Sequence, residues 1–305
     1  MNVSSKFRQR YTVTTFVIAI ALLAWGAFVT SINAGLAVPD WPTSFNSYDP
    51  FNPWPDWWSI TPVFAEHGHR LLGALVGLFT IGLAVLTWRS DERKWMVRLG
   101  FGALALVIVQ GVLGGLRVVW VSLDLAIVHT LVAELFFALL ASMAVFVSDI
   151  WKNAADEPVE PSQLQRLGPL VWVAPAAVYI QVALGALLRH PGAGIDIVLA
   201  SLHFGWAFVA TTMVVVLWTR VMDIFENSKT IKRTSLAMLA ILVTQITLGL
   251  VAYFVLLDES GSIQPSNFQV VANTSHMVIG ALLFASTVTV GVLCSRIRAV
   301  RINYK

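Results

Sequence analysis

The chain predicts an all-α integral membrane protein whose eight transmembrane helices form two pseudo-symmetric four-helix bundles. Three observations predict it. Of the 305 residues, 57% are hydrophobic and only 12% charged, and the mean hydropathy is positive; a soluble globule of that composition would expose far too much apolar surface. Apolar runs of roughly 20 residues, the length a helix needs to cross about 30 Å of hydrocarbon, occur eight times. The last four runs also repeat the residue pattern of the first four.

The runs fall near 11–32, 63–88, 95–117, 123–148, 168–189, 196–220, 233–257 and 269–295. The first follows a basic lead (Lys6, Arg8, Arg10) and invites comparison with a secretory signal. Its apolar run exceeds the roughly 7–15 residues of a signal core, so a retained helix is expected. The segment Asn33 to Phe64 carries Pro39-Asp40-Trp41-Pro42 and the cluster Trp54, Trp57, Trp58, and has no lysine or arginine. It reads as an interfacial cap able to cover a site in the first half. The acidic stretch around Asp156, Glu157 and Glu160 separates the halves, giving residues 1–150, a linker 151–167 on the cytoplasmic side, and 168–305.

Orientation follows from the basic residues. All 20 except Arg70, Arg117 and Arg189 lie in the N-terminal tail, the even-to-odd connections and the C-terminal tail. The positive-inside rule then makes both termini cytoplasmic, in a multi-pass protein of a bacterial inner membrane. The net charge of +3 records topology. A basic stripe with interleaved aromatics is absent, so no nucleic-acid partner is expected. A single cysteine, Cys294, permits neither an intramolecular disulfide nor a thiolate cluster.

The repeat is explicit. Gly26-Ala27, six residues, then Ala34-Gly35-Leu36 recurs as Gly185-Ala186, six residues, then Ala193-Gly194-Ile195. Gln110-Gly111-Val112-Leu113-Gly114 matches Gln245-Ile246-Thr247-Leu248-Gly249, and Gln181-Val182-Ala183-Leu184-Gly185 is a third Gln-x-x-Leu-Gly string. His69 and His203 keep the same register, and His129 and His276 complete it after a longer outer connection. Parallel repeats also build transporters, so the repeat alone chooses no function.

Each half therefore owns two histidines, on its second and fourth helices. Counted from Pro62, Asp124, Asp196 and Gln269, His69, His129, His203 and His276 lie at similar depth, about 8–11 Å in at 1.5 Å per residue. A lone membrane histidine serves equally as a helix-to-helix hydrogen bond or a proton relay. Four in register point instead to haem, because two level imidazoles satisfy a six-coordinate iron. Gly73, Gly205 and Gly280 would let a porphyrin approach the backbone. No further nitrogen, sulfur or carboxylate repeats with the histidines, which disfavours zinc or copper.

One charge breaks the symmetry. The first half reads Glu66-His67-Gly68-His69-Arg70 where the second reads Ala200-Ser201-Leu202-His203-Phe204. Glu66 shares the face of His69, one turn nearer the surface. It is either a working acid or a helix N-terminal residue complementing the helix dipole. His67 projects to another face and reads as an outer-surface residue. Arg70, Arg117 and Arg189 suit haem propionates or lipid phosphate, and both readings stay open.

Together, Gly26-Ala27-Phe28-Val29-Thr30-Ser31, Ala34 to Pro42, Glu66 to Arg70, the Gln-x-x-Leu-Gly strings and the four histidines resemble the heme A synthase family of cytochrome oxidase assembly. The resemblance implies eight helices in two halves, haem b ligated by His203 and His276, and substrate haem o at His69 and His129. It implies oxidation of a porphyrin methyl group to a formyl group through successive hydroxylations, with Glu66 important for catalysis. A haem o synthase that hands over the substrate, an electron acceptor, membrane lipid and a second copy of the chain are the partners it leaves open. Many members carry loop cysteines that Asn33 to Phe64 and Arg189 to Ile195 lack, marking a cysteine-poor subtype. The rival reading is a diheme b-type membrane cytochrome without porphyrin chemistry. It is disfavoured because all four ligands lie toward one side of the membrane.

Overall fold

The structure, a computed structural model, describes residues 5–154, 157, 159–189, 196–258 and 265–302. Its helices are α1 (Ser5–Ser31), α2 (Thr61–Ser90), α3 (Lys94–Val119), α4 (Leu123–Phe146), α5 (Asp149–Asn153), α6 (Pro161–Gln165), α7 (Leu170–Arg189), α8 (Ile197–Ile224), α9 (Lys229–Asp258) and α10 (Asn267–Ile302). No β-strand occurs among the described residues, and eight helices are long and apolar enough to cross a membrane. The protein is an all-α, multi-pass membrane protein. Two parts of the expected pattern, Asp156 and the second loop string Ala193-Gly194-Ile195, lie outside the described residues.

The helices overrun the apolar stretches at their polar ends. α1 begins at Ser5 and α10 continues to Ile302, because basic turns stay helical after they leave hydrocarbon, where water and headgroups accept their side chains. By contact the chain divides into two compact units, Met1–Leu140 with Leu248–Val278, and Ala141–Thr247 with Ile279–Lys305. These boundaries run through α4, α9 and α10. The sequence halves at 1–150 and 168–305 are a partition of repeat, and the units a partition of contact.

In the first unit α2 packs against both α1 and α3. Polar groups on α1 reach backbone carbonyls of α2: Trp25 Nε1 donates to Ala65 O at 2.8 Å, Tyr11 Oη to Phe79 O at 3.1 Å and Arg8 Nη1 to Ser90 O at 2.6 Å. Such bonds matter in hydrocarbon, where apolar side chains gain little from leaving lipid. Phe16 stacks on Phe137 of α4, and Thr274 of α10 donates to Ser31 at the end of α1. Between α2 and α3, buried Asp91 pairs with Arg93 at 2.7 Å and Arg8 at 3.4 Å. Burial pushes its carboxyl upward, but the Arg93 bonds and the charges of Arg93 and Arg8 outweigh that and hold it below the ordinary range.

In the second unit α7 packs against α8. Asp196 opens α8 as its N-cap, accepting from the amides of Val198 and Leu199, which satisfies donors the first helical turn leaves unpaired. Trp206 Nε1 donates to Ala177 O at 2.8 Å, and Tyr179 packs on Phe284. At the linker, Ser228 Oγ donates to Glu157 at 2.6 Å and Glu160 forms a capping box with Gln163 at the start of α6.

Candidate haem site

Every one of the four histidines lies against a glycine on another helix. A Cβ built on Gly26 would stand 2.9 Å from His69 Nε2, and on Gly114 3.2 Å from His129 Cε1. On Gly185 it would stand 3.1 Å from His203 Cε1, and on Gly249 2.9 Å from His276 Cε1. Any side chain there would push the imidazole aside, so these glycines serve close approach. Gln110 Nε2 donates to His129 O at 2.9 Å and Gln181 Nε2 to His203 O at 3.0 Å. The Gln-x-x-Leu-Gly string is thus a histidine seat, a use its letters alone did not reveal. All four histidines are half-buried.

The glycines expected beside a porphyrin divide. Added Cβ atoms at Gly73 and Gly205 meet no protein atom within 4 Å, so a flat ligand can lie against the backbone there. Gly280 corrects the expectation: the Gln245 amide fills the space, 3.0 Å from where a Cβ would sit.

Glu66 is buried in the sixth position of α2, past the first turn, which weakens the reading as a residue that complements the helix dipole. Two guanidinium groups flank it. Arg70 approaches Oε1 at 3.4 Å and Arg117 approaches Oε2 at 3.5 Å. Both are longer than the roughly 2.7–2.9 Å of a strong charge-assisted bond, so the carboxylate is held but keeps accepting capacity. Arg70 spends all five donors inside the protein: Nε and Nη2 on Glu66, Nη2 also on Val38 O at 2.9 Å, and Nη1 on Asp40 O at 2.7 Å and Thr43 O at 3.2 Å. Arg117 Nη2 reaches Gly35 O at 3.0 Å as well as Glu66. The segment between α1 and α2 is therefore latched onto the Glu66 turn by both arginines.

Apolar packing completes the latch. Val38, Trp57 and Val63 form a buried cluster with Ala37, Phe45, Phe64 and Leu71, while Trp54 and Trp58 stay exposed as an interfacial belt would. Asp40 organises the turn beneath, accepting from the Thr43 hydroxyl and from the Phe45 and Asn46 amides, both at 2.8 Å. Here the expectation for His67 is corrected. It is 2% exposed, lies edge-on to Trp57, and its Nε2 donates to Pro50 O at 2.7 Å. The face that points away from His69 is covered by the cap, not by solvent.

The first unit thus gathers Glu66, His69, Arg70, Arg117 and His129: His69 interacts electrostatically with both arginines, and His129 with His69 and Arg117. His276 belongs to the same unit, and His203 and half-buried Arg189 belong to the other. Sequence reasoning missed Glu134, a buried carboxyl on α4 whose Oε2 has no hydrogen-bond partner. No helical or repeat pattern marks it.

The donor set fits haem. Among the described residues no group of three or more His, Cys, Asp or Glu side chains could hold a bare metal ion. An iron that brings four porphyrin nitrogens needs only two imidazoles, and buried His129 Nδ1 has no protein partner.

Fold and site together define a class, a multi-pass membrane protein whose glycine-seated histidines suit a porphyrin. Residues 58–202, which hold Glu66, His69, Gln110, Arg117, His129 and Gln181, match the family described as cytochrome oxidase assembly protein. Heme A synthase of Symbiobacterium thermophilum is 32% identical over 191 residues, 59% of this chain and 58% of that protein. Heme A synthase of Lysinibacillus sphaericus is 31% identical over 195 residues, 61% and 59% respectively. That of a Methylobacterium species is 34% identical over 138 residues, 43% and 36%. The chain is similar to these heme A synthases, and its matches span less than two thirds of their length.

Proposed function

We propose that the chain is a heme A synthase, a membrane-bound oxidoreductase that converts a methyl group of haem o to the formyl group of haem a. The observation that carries the reading is the charge asymmetry beside the seated histidines. Glu66 stands one turn from His69 between Arg70 and Arg117, whereas Ala200 and Phe204 occupy the matching positions before and after His203. His69 and His129 would hold substrate haem o, and His203 and His276 a resident haem b, as the resemblance to heme A synthases implies. Methyl to formyl with water as oxygen source releases four electrons and four protons, so the site needs a proton acceptor and the membrane an electron acceptor. Glu66 is the group placed to take protons, and the unspent donors of Arg117 can face a propionate. Haem o carries a long apolar tail, which suits a lipid-facing cleft. The site then lies near the outer side of a bacterial inner membrane, with both termini cytoplasmic.

The test is expression in a host that makes haem o but no haem a, followed by extraction and chromatography of the haems. Haem a, or a hydroxylated intermediate, is the expected product. Haem b alone at two per chain would instead make the protein a diheme b-type cytochrome.

A further inference from the structure

We propose that Gln110 and Gln181 are positioning residues that pin a histidine-bearing turn through its backbone carbonyl, and that the missing glutamine beside His69 makes His69 the exchangeable ligand of the substrate site. The inference rests on the haem reading above and adds which ligand gives way.

The pattern is local. On α3, Gln110 and Gly114 stand one turn apart on one face: Gly114 receives the ring of His129 and Gln110 bonds His129 O at 2.9 Å. On α7, Gly185 receives the ring of His203 and Gln181 bonds His203 O at 3.0 Å, its Nε2 also lying 3.1 and 3.2 Å from the ring Nδ1 and Nε2. On α9, Gln245 stands four residues before Gly249, which seats His276. On α1, Gly26 seats His69, but four residues earlier stands Leu22, which carries no donor. The Trp25 indole bonds Ala65 O instead, one turn outward of His69.

A helical carbonyl already accepts the amide four residues on, so the glutamine adds a second bond and fixes both height and rotation of that turn. In hydrocarbon a broken helix-to-helix bond finds no water to replace it. With haem bound, an imidazole on a pinned turn would be kept within reach of the iron. His69 lacks the pin. Its turn also carries Glu66, so the ligand that can withdraw lies beside the group placed to accept protons. Two fixed histidines would close the iron to any incoming group, and an unpinned His69 would leave one position able to open.

The test uses the full-length, haem-loaded protein in detergent, with carbon monoxide added after reduction and the Soret difference spectrum as readout, independent of turnover. The native chain is expected to bind carbon monoxide at one haem. Leu22→Gln should lower that binding about fivefold at unchanged haem content, the population shift of one such hydrogen bond. Gln181→Leu, which removes a polar group and so remains informative if Leu22→Gln does not express, should make a second haem reactive. Unchanged carbon monoxide binding in either haem-replete variant overturns the inference. Unchanged haem content in both His69→Ala and His129→Ala would overturn the haem assignment itself, and this inference with it.

Discussion

The N-terminal turns of α2 and α8 share a plan and differ in charge. In each, a histidine ring rests on a glycine of the preceding membrane helix, Gly26 for His69 and Gly185 for His203. Around that seat, α2 places Glu66 and Arg70, joined by Arg117 from α3, and α8 places Ala200 and Phe204, whose ring packs near His203. The seat and the charge are therefore separable: glycine and histidine recur in both turns, and a carboxylate with two guanidinium groups stands only beside His69. The comparison also explains why the acid survives in hydrocarbon. A buried carboxylate alone is costly, whereas one flanked by two arginines that are themselves tied to loop carbonyls is compensated.

Removing the acid is the sharpest way to break the comparison. Glu66→Ala should reduce haem a output by at least about a hundredfold, the usual worth of a positioned proton acceptor. Haem content per chain should stay near native, because Arg70 and Arg117 keep their bonds to Val38, Asp40, Thr43 and Gly35. Chromatography of the extracted haems against total haem checks both halves of the statement, and undiminished haem a output would remove Glu66 from the chemistry.

Transplanting the acid tests the other side. Ala200 is 8% exposed, so Ala200→Glu buries a carboxylate on a helix that carries Phe204 where α2 carries Arg70, and thermal unfolding in detergent should show a loss on the order of 3–5 kcal/mol. The double change Ala200→Glu with Phe204→Arg should recover part of that. If the single variant is as stable as the native chain, the arginines are not what makes Glu66 tolerable.

A smaller effect is expected at the latch. Arg70 offers five donors, and a lysine offers three without the planar fork. Arg70→Lys should cost about 2 kcal/mol of local stability, read as faster protease cleavage between residues 33 and 60 with the helical melting transition unmoved. Equal cleavage rates would mean that the apolar cluster of Val38, Trp57 and Val63 holds the segment alone.

The eight membrane crossings were legible because a hydrophobic run of fixed length is a property of the bilayer, readable in any one chain. The ends of α1 and α10 were not, since charged turns continue a helix without adding hydropathy. Glu66 could be found from the repeat, by its contrast with Ala200. Its partner Arg117 could not, being 51 residues away on a helix whose rotation only packing decides. Arg70 illustrates a related limit: sequence shows a cation at an outer helix end, and only the fold shows its five donors directed inward. His67 was misplaced because leaving the His69 face looks like facing water until the cap is in position. The seats were visible as repeated letters, Gln110 to Gly114 among them, but the purpose of a glycine lies in the ring it admits.

The gentlest perturbation is acid, and it acts on the cap that distinguishes the α2 site. Burial pushes the Asp40 carboxyl upward, but the Thr43 hydroxyl and the Asn46 and Phe45 amides outweigh it and hold the carboxyl below the ordinary range. A carboxyl lowered by folding stabilises the folded turn above its unfolded value of about 3.9, and that contribution fades as pH falls through the folded value. Hydrogen-exchange protection of Phe45 and Asn46 should therefore be constant from about pH 7 to pH 5, once corrected for intrinsic exchange, and should drop below about pH 4. Asp40→Asn loses one acceptor oxygen, so its protection should be lower at neutral pH and flat through the acid range. A native chain as protected at pH 3 as at pH 6 would show that Asp40 does not hold the turn, leaving Arg70 to organise the cap through backbone carbonyls alone.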